Sequence, residues 1–252
     1  MKLKNKIAIV TGGSSGIGEA ISCAYAREGA TVIIVNANNP TRGIEVADKI
    51  KADGGSAHAI KCDITQAAEV NGLVKQVIQE HGRIDILVNN AAILIFKSLE
   101  EHTLNDWDHV INNNLKGAFL MSQAVVPHMK KQHSGKIIFT SSLAAIRGIS
   151  GTVAYSASKG GILAMARSLV DELGSHNINV NLITPGFTAT PMNQELRDNH
   201  PDFLQTVKGA PSGCLLMQPQ DLTGAAVFLA SDDSMRVHGL DLIVDGGAAA
   251  VQ

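Results

Sequence analysis

Short apolar runs alternate along the chain with longer segments whose apolar residues recur every three or four positions. The first run, Lys6 to Thr11, reads as a buried strand. From Ile17 the apolar positions 17, 20, 21, 24 and 25 share one helical face, and Gly29 supplies the stop. Thr31 to Asn36, rich in β-branched residues, is a second strand. A helix over 42–52 ends at Gly54-Gly55, and Ala57 to Lys61 follows as the third strand. Thr65 is placed to N-cap a helix reaching about Glu80 and closed by Gly82, ahead of a strand over Ile84 to Asn89. Thr103 and Asp106 have capping-box spacing and open a helical stretch to about Gln132, with a candidate break near Asn112 to Asn114. Lys136 to Ser141, a helix over 153–174, Ile178 to Thr184, a helix over 219–230 and Leu240 to Val244 complete the series.

Strand followed by helix from end to end predicts an α/β fold, a doubly wound and mostly parallel sheet of seven strands with helices on both faces. No linker, repeat or low-complexity stretch interrupts residues 1–252, which read as one domain. The least regular part, 185–218, carries Pro185, Pro191, Pro201 and Pro211, and a long excursion of this kind suits a substrate-binding lid.

Composition narrows the field. Of 252 residues 45% are hydrophobic and 17% charged, enough apolar material for a large core. A net charge of −2 leaves no basic footprint for nucleic acid or anionic lipid. The longest apolar runs fall far below the ~18 residues needed to span a bilayer, and the N-terminus lacks a secretory apolar region. A cytoplasmic location is expected. Cys23, Cys62 and Cys214 are far apart and odd in number, and fit small core side chains better than disulfides or a thiolate metal site. The nine histidines show neither HxxxH nor HExxH spacing, so no metal is expected.

Thr11-Gly12-Gly13-Ser14-Ser15-Gly16-Ile17-Gly18 joins the first strand to the first helix. Glycine allows a sharp turn and close approach to a phosphate, and the helix start offers free N–H groups and partial positive charge. A tight structural turn is the plain alternative. Gly12-Gly13-Ser14-Ser15-Gly16 also matches the G-x-S-x-G nucleophile elbow of hydrolases, but several strands precede the elbow in that fold and only one does here.

Tyr155 and Lys159 stand four apart on a predicted helix, hence on one face. A nearby ammonium favours tyrosinate, so the pair could supply a phenol that exchanges protons near neutral pH. Ser141-Ser142 lies at the carboxyl end of the fifth strand, the edge where open α/β sheets bind ligands.

Taken together, TGGSSGIG at 11–18, Asp63, Asn89-Asn90-Ala91, Asn114, Ser142, Tyr155-x-x-x-Lys159 and Pro185-Gly186 resemble the short-chain dehydrogenase/reductase family over essentially the whole chain. The resemblance implies a Rossmann-like fold and an oxidoreductase using NAD or NADP. It implies Tyr155 as general acid/base and Lys159 as its modulator and ribose ligand. Ser142 would hold the substrate oxygen, and Asn114 would anchor a water that relays protons from Lys159. Gly12, Ser14, Ser15, Gly16, Ile17 and Gly18 would shape the pyrophosphate site. Asn36, Asp63, Ile64, Asn90 and Ala91 would contact the nucleosides, with Asp63 on the adenine amino group. Pro185, Gly186, Thr188 and Thr190 would meet the carboxamide and phosphate.

Two positions depart from the family pattern. Ala92 stands where glycine is usual. Asn36 replaces the acidic residue that repels a 2′-phosphate, while Ala37 and Ser15 occupy places where NADP-preferring relatives carry a base. Arg42 could reach the site, and the balance leans to NAD. Leu94, Ile95, Leu143, Ile149, Phe187 and Met192 are candidates for an apolar substrate wall, with ordinary packing the alternative for each. Trp107 is expected to pack between helices.

The expected activity is interconversion of a small to medium, mainly uncharged alcohol and ketone. A 3-oxoacyl thioester reductase ranks lower, because only Arg197 and Lys208 could meet an acidic carrier around the lid. A non-catalytic dinucleotide-binding regulator ranks lower still, given the intact Ser142, Tyr155 and Lys159. The resemblance also implies a homotetramer built on the helices over 103–132 and 153–174 and the last strand.

Overall fold

A computed structural model describes residues 1–37, 39–199, 211 and 216–251. Seven strands form one sheet: β1 Ile7–Thr11, β2 Thr31–Asn36, β3 Ser56–Lys61, β4 Ile86–Asn89, β5 Gly135–Thr140, β6 Ile178–Pro185 and β7 Asp241–Val244. The order is β3-β2-β1-β4-β5-β6-β7, and every neighbouring pair is parallel. The chain therefore reverses its winding between β1 and β4, and a crevice opens beyond their carboxyl ends.

The helices among the described residues are α1 Gly16–Arg27, α2 Pro40–Ala52, α3 Ala67–His81, α4 Leu104–Ile111, α5 Gly117–Gln132, α6 Val153–Leu173, α7 Gln194–Asn199 and α8 Thr223–Ala230. Strand alternation sorts their partners. Ile7, Ile9, Ile33, Val35, Leu87 and Phe139 face α3, α5 and α6, whereas Ala8, Val10, Val32, Ile34, Val88 and Ile138 face α1, α2 and α8. Both faces are covered, so the central strands read as continuous apolar runs. None of the described helices is long and apolar enough to cross a membrane.

Several boundaries differ from expectation for local reasons. Thr65 does not cap α3; its N–H and hydroxyl both bond back to the Asp63 carboxylate, at 2.9 and 2.8 Å, in a turn that precedes the helix. Gln66 takes the cap position without a side-chain bond. The break expected near Asn112 is a single π turn over Asn112–Lys116, between α4 and α5. Pro219–Leu222 is a 3₁₀ turn leading into α8. Trp107 is 40% exposed rather than packed between helices. Leu143 is not a cavity wall but a buried contact for Ala248 of the C-terminal turn. Lys208, Cys214, Pro201 and much of the expected lid lie outside the described residues.

Candidate active site

The β1–α1 turn is held from below. The Thr11 hydroxyl accepts from the N–H groups of Asn90 and Ala91, at 3.0 and 3.1 Å. The Asn90 amide donates to the Thr11 carbonyl at 3.1 Å. Gly12 and Gly16 have φ of +62° and +53°, backbone that side chains other than glycine rarely tolerate. A Cβ on Gly12 would lie 3.0 Å from the Ala91 backbone, and one on Gly16 would meet Thr190 at 3.1 Å. Ser15 caps α1 without a side-chain hydrogen bond, so its hydroxyl does not compete for the first-turn N–H groups.

Above this turn lies a cavity of about 570 Å³ at the carboxyl edge of the sheet, a typical size for a small-molecule or cofactor site. Gly12, Ser14, Ser15, Gly16 and Ile17 form its floor. Asn36, Asp63 and Ile64 line the end beyond β2 and β3. Asn90, Ala91, Tyr155, Lys159, Pro185, Gly186, Thr188 and Thr190 line the rest. Gly18 is not a wall. A Cβ there would sit 2.1 Å from the Gly12 carbonyl oxygen, so this glycine lets α1 press against its own turn.

Tyr155 and Lys159 both come from α6. The Lys159 ammonium, 2% exposed, donates to the Thr140 carbonyl at 2.7 Å and lies 5.6 Å from the centre of the Tyr155 ring. Burial pushes Lys159 down to about 8. Burial pushes the Tyr155 phenol up to about 12, against the opposing effect of the Ser142 hydroxyl. The sequence-based expectation of a lowered phenol is therefore not met in the free chain. The ammonium is spent on a backbone carbonyl, and desolvation dominates. Ser142, just past β5, caps a short 3₁₀ turn, its hydroxyl also accepting from the Ala144 N–H at 3.1 Å. It does not itself line the cavity.

Asn114 is also off the cavity wall. Its amide accepts from the Ile93 N–H at 2.8 Å and donates to the Ile93 carbonyl and the Ser158 hydroxyl, each at 3.0 Å. The Ser158 hydroxyl in turn donates to the Tyr155 carbonyl at 2.7 Å. Asn114 thus ties the exit of β4 to the turn of α6 that carries the tyrosine. These bonds use both amide hydrogens and one lone pair of the oxygen.

Some wall residues were given no definite role by the sequence reading. Ser141 is buried, and its hydroxyl has no hydrogen-bond partner. Cys62, read as core, is 2% exposed and still reaches the wall. Both directly precede a recognised residue, Ser142 and Asp63. Arg42, from the first turn of α2, lines the nucleoside end, bonded to Glu19 at 2.9 Å and Glu45 at 3.1 Å. Of the substrate-wall candidates, Leu94, Ile149, Phe187 and Met192 line the cavity, while Ile95 lines a smaller one beside it.

The residues present fit a nicotinamide dinucleotide. Two left-handed glycines cradle the helix start, the cavity runs from Asn36 to Tyr155, and the Asn36 amide oxygen and Ser141 hydroxyl are buried without partners. Among the described residues no group of three or more metal-ligating side chains converges.

This architecture is that of a dinucleotide-binding α/β protein. The short chain dehydrogenase family model matches residues 6–201. The chain is 36% identical over 249 residues to cyclopentanol dehydrogenase of Comamonas testosteroni, covering 99% of each. It is 37% identical over 249 residues to the 3-oxoacyl-[acyl-carrier-protein] reductase of Thermotoga maritima, covering 98% of this chain and 99% of that one. A crystal structure from Beutenbergia cavernae, provisionally assigned as an NAD(P)-dependent gluconate 5-dehydrogenase and holding NADP at low occupancy, superposes with a TM-score of 0.93. It shares 35% identity and covers 99% of this chain, with 98% of its own length matched. The chain belongs to the short-chain dehydrogenase/reductase family, oxidoreductases that use NAD(P).

Proposed function

We propose that this protein interconverts a small to medium, mainly uncharged alcohol and its ketone, with Tyr155 as general acid/base. The observation that carries this reading is the pairing of Tyr155 with the buried Lys159 ammonium on the cavity wall, 5.6 Å from the ring centre, with Ser142 acting on the phenol beside them. When bound, NAD(P) supplies or accepts the hydride.

In reduction the Tyr155 hydroxyl donates its proton to the substrate carbonyl oxygen as that oxygen gains charge. Ser142, which the family resemblance assigns to the same oxygen, stands off the wall and acts through the Tyr155 phenol. In oxidation Tyr155 takes the proton back. Lys159, cationic at neutral pH even at about 8, stabilises the phenolate so formed. Asn114 positions this pair through Ser158.

Gly12, Ser14, Ser15, Gly16 and Ile17 would hold the pyrophosphate, with Gly18 setting the approach of α1. Asn36, Asp63, Ile64, Asn90 and Ala91 would hold the nucleosides, and Pro185, Gly186, Thr188 and Thr190 the nicotinamide end. We favour NAD over NADP. Arg42 is neutralised by Glu19 and Glu45, which leave a net negative charge where a 2′-phosphate would sit.

A second reading, reduction of a 3-oxoacyl thioester, is favoured by the likeness to the Thermotoga maritima enzyme. Against it, the described walls around Phe187 and Met192 carry no base. We read residues 1–252 as one catalytic domain that works in the cytoplasm as a homotetramer, a reading supported by the exposed Leu104, Phe119 and Ile243.

The test is titration with NADH and, separately, NADPH, followed by nicotinamide fluorescence, and then a panel of ketones and acyl thioesters. Saturable binding, tighter for NADH, with turnover of neutral ketones is expected. Binding without turnover of any substrate would leave a dinucleotide-binding regulator instead.

A further inference from the structure

Beside the main cavity lies a second one of about 290 Å³. The two share Leu94, Met192 and Leu196 as walls, so the second extends the substrate end of the first. One side is the β4 exit segment, Leu94 to Phe96. The other is the helical stretch carrying Met192, Glu195, Leu196 and Asn199, whose spacing puts them on one face.

The charges are unevenly distributed. The charged walls of the main cavity are Arg42, Asp63 and Lys159, which belong to the nucleoside end and the catalytic pair. The extension has one charged wall among the described residues, Glu195, and its carboxylate has no ion-pair partner there. Of the nearest cations in sequence, Lys97 is neutralised by Asp106, whereas Arg197 keeps its charge and is turned away onto neutral acceptors. Arg197 donates to Asn193 at 3.1 Å and to the Thr190 carbonyl at 3.4 Å, and Lys97 is paired with Asp106 at 2.8 Å.

We propose that Glu195 is a specificity-determining residue that filters substrates by charge. It admits alcohols and ketones whose far end is neutral or cationic and disfavours those that carry a carboxylate or phosphate there. The proposal rests on the alcohol/ketone reading above and adds a rule for the part of the substrate remote from the reacting carbon. An anionic tail in this extension would face the exposed Glu195 carboxylate, and like charges so placed disfavour a ligand without any steric clash. A neutral tail meets apolar Leu94, Ile95 and Phe96 along one side and the Glu195 and Asn199 acceptors along the other.

The test uses the full chain loaded with NAD⁺, which has no hydride to give a ketone, and a matched pair of probes, methyl 4-oxocyclohexanecarboxylate and the corresponding free acid. Dissociation constants are measured by calorimetry, and turnover is followed separately. The ester should bind wild type about tenfold or more tighter than the acid. Glu195→Gln should narrow that ratio about twofold to fivefold, and Glu195→Lys should narrow it further or invert it, as expected for an exposed charge at moderate range. The acid's affinity should move more than the ester's. Equal binding of the two probes, no binding of either, or a ratio unmoved by both substitutions overturns the proposal. Discriminating binding without turnover would instead remove the alcohol/ketone reading and leave the charge filter standing.

Discussion

The Lys159 ammonium lies 5.6 Å from the centre of the Tyr155 ring while donating its short hydrogen bond to the Thr140 carbonyl. The cation is therefore close enough to stabilise a phenolate but is held by the backbone of β5. Because Ser142 directly follows β5 and Ser141, one strand end sets both the Lys159 anchor and the serine that acts on the Tyr155 phenol.

This burial has a consequence for stability. Lys159 falls to about 8 in the folded chain, from 10.5. Between those values the unfolded chain binds more protons, so this group's contribution to stability rises with pH and its penalty is fully present below pH 8. Denaturant unfolding of wild type and Lys159→Met at pH 7.5 and 9.5 checks it. The wild type should gain on the variant at the higher pH. Tyr155 acts oppositely. Raised from 10 to about 12, it contributes stability that is lost as pH climbs from 10 to 12.

Asn114 makes three hydrogen bonds to Ile93 and Ser158 from a buried position. Asn114→Ala should cost about 1–3 kcal/mol of stability through the groups left unpaired. If the asparagine positions Tyr155, kcat should fall about tenfold or more while NADH affinity and substrate KM change little. A loss confined to stability would limit Asn114 to a structural role.

Gly18→Ala places a methyl group 2.1 Å from the Gly12 carbonyl oxygen, a backbone atom that cannot step aside. Overpacking of this kind costs about 1–3 kcal/mol. A lower Tm and weakened NADH binding are expected together, since the displaced turn is the one that would hold the pyrophosphate.

Glu19→Gln removes one of the two carboxylates that neutralise Arg42. The NADPH/NADH preference, read from paired fluorescence titrations, should shift about twofold to fivefold toward NADPH, the range of an exposed charge. An unmoved ratio would show that Arg42 takes no part in cofactor choice.

Much of the fold was legible because each strand's apolar run and each helix's periodicity reported burial directly. Every strand appeared within two residues of its expected bounds. The glycines of the β1–α1 turn were legible for a related reason, since Gly12 and Gly16 adopt backbone that other residues avoid. Side-chain direction was not. The bonds of the Asn114 amide to Ile93 and Ser158, set by the π turn, could not be read from the sequence. Leu143 points away from the cavity because the 3₁₀ turn after Ser142 rotates it onto Ala248. The upward shift of Tyr155 could not be read from four-residue spacing, which fixes a common face but says nothing of desolvation. The second cavity needed three dimensions, because its two sides are about a hundred residues apart in sequence.

The most direct measurement is turnover of a neutral ketone with NADH by wild type and Tyr155→Phe, with NADH binding followed in the same samples. The variant should bind NADH within a few-fold of wild type and lose turnover by about 10²–10⁴-fold, the range of a general acid/base. Near-normal turnover by the variant would contradict Tyr155 as the proton donor.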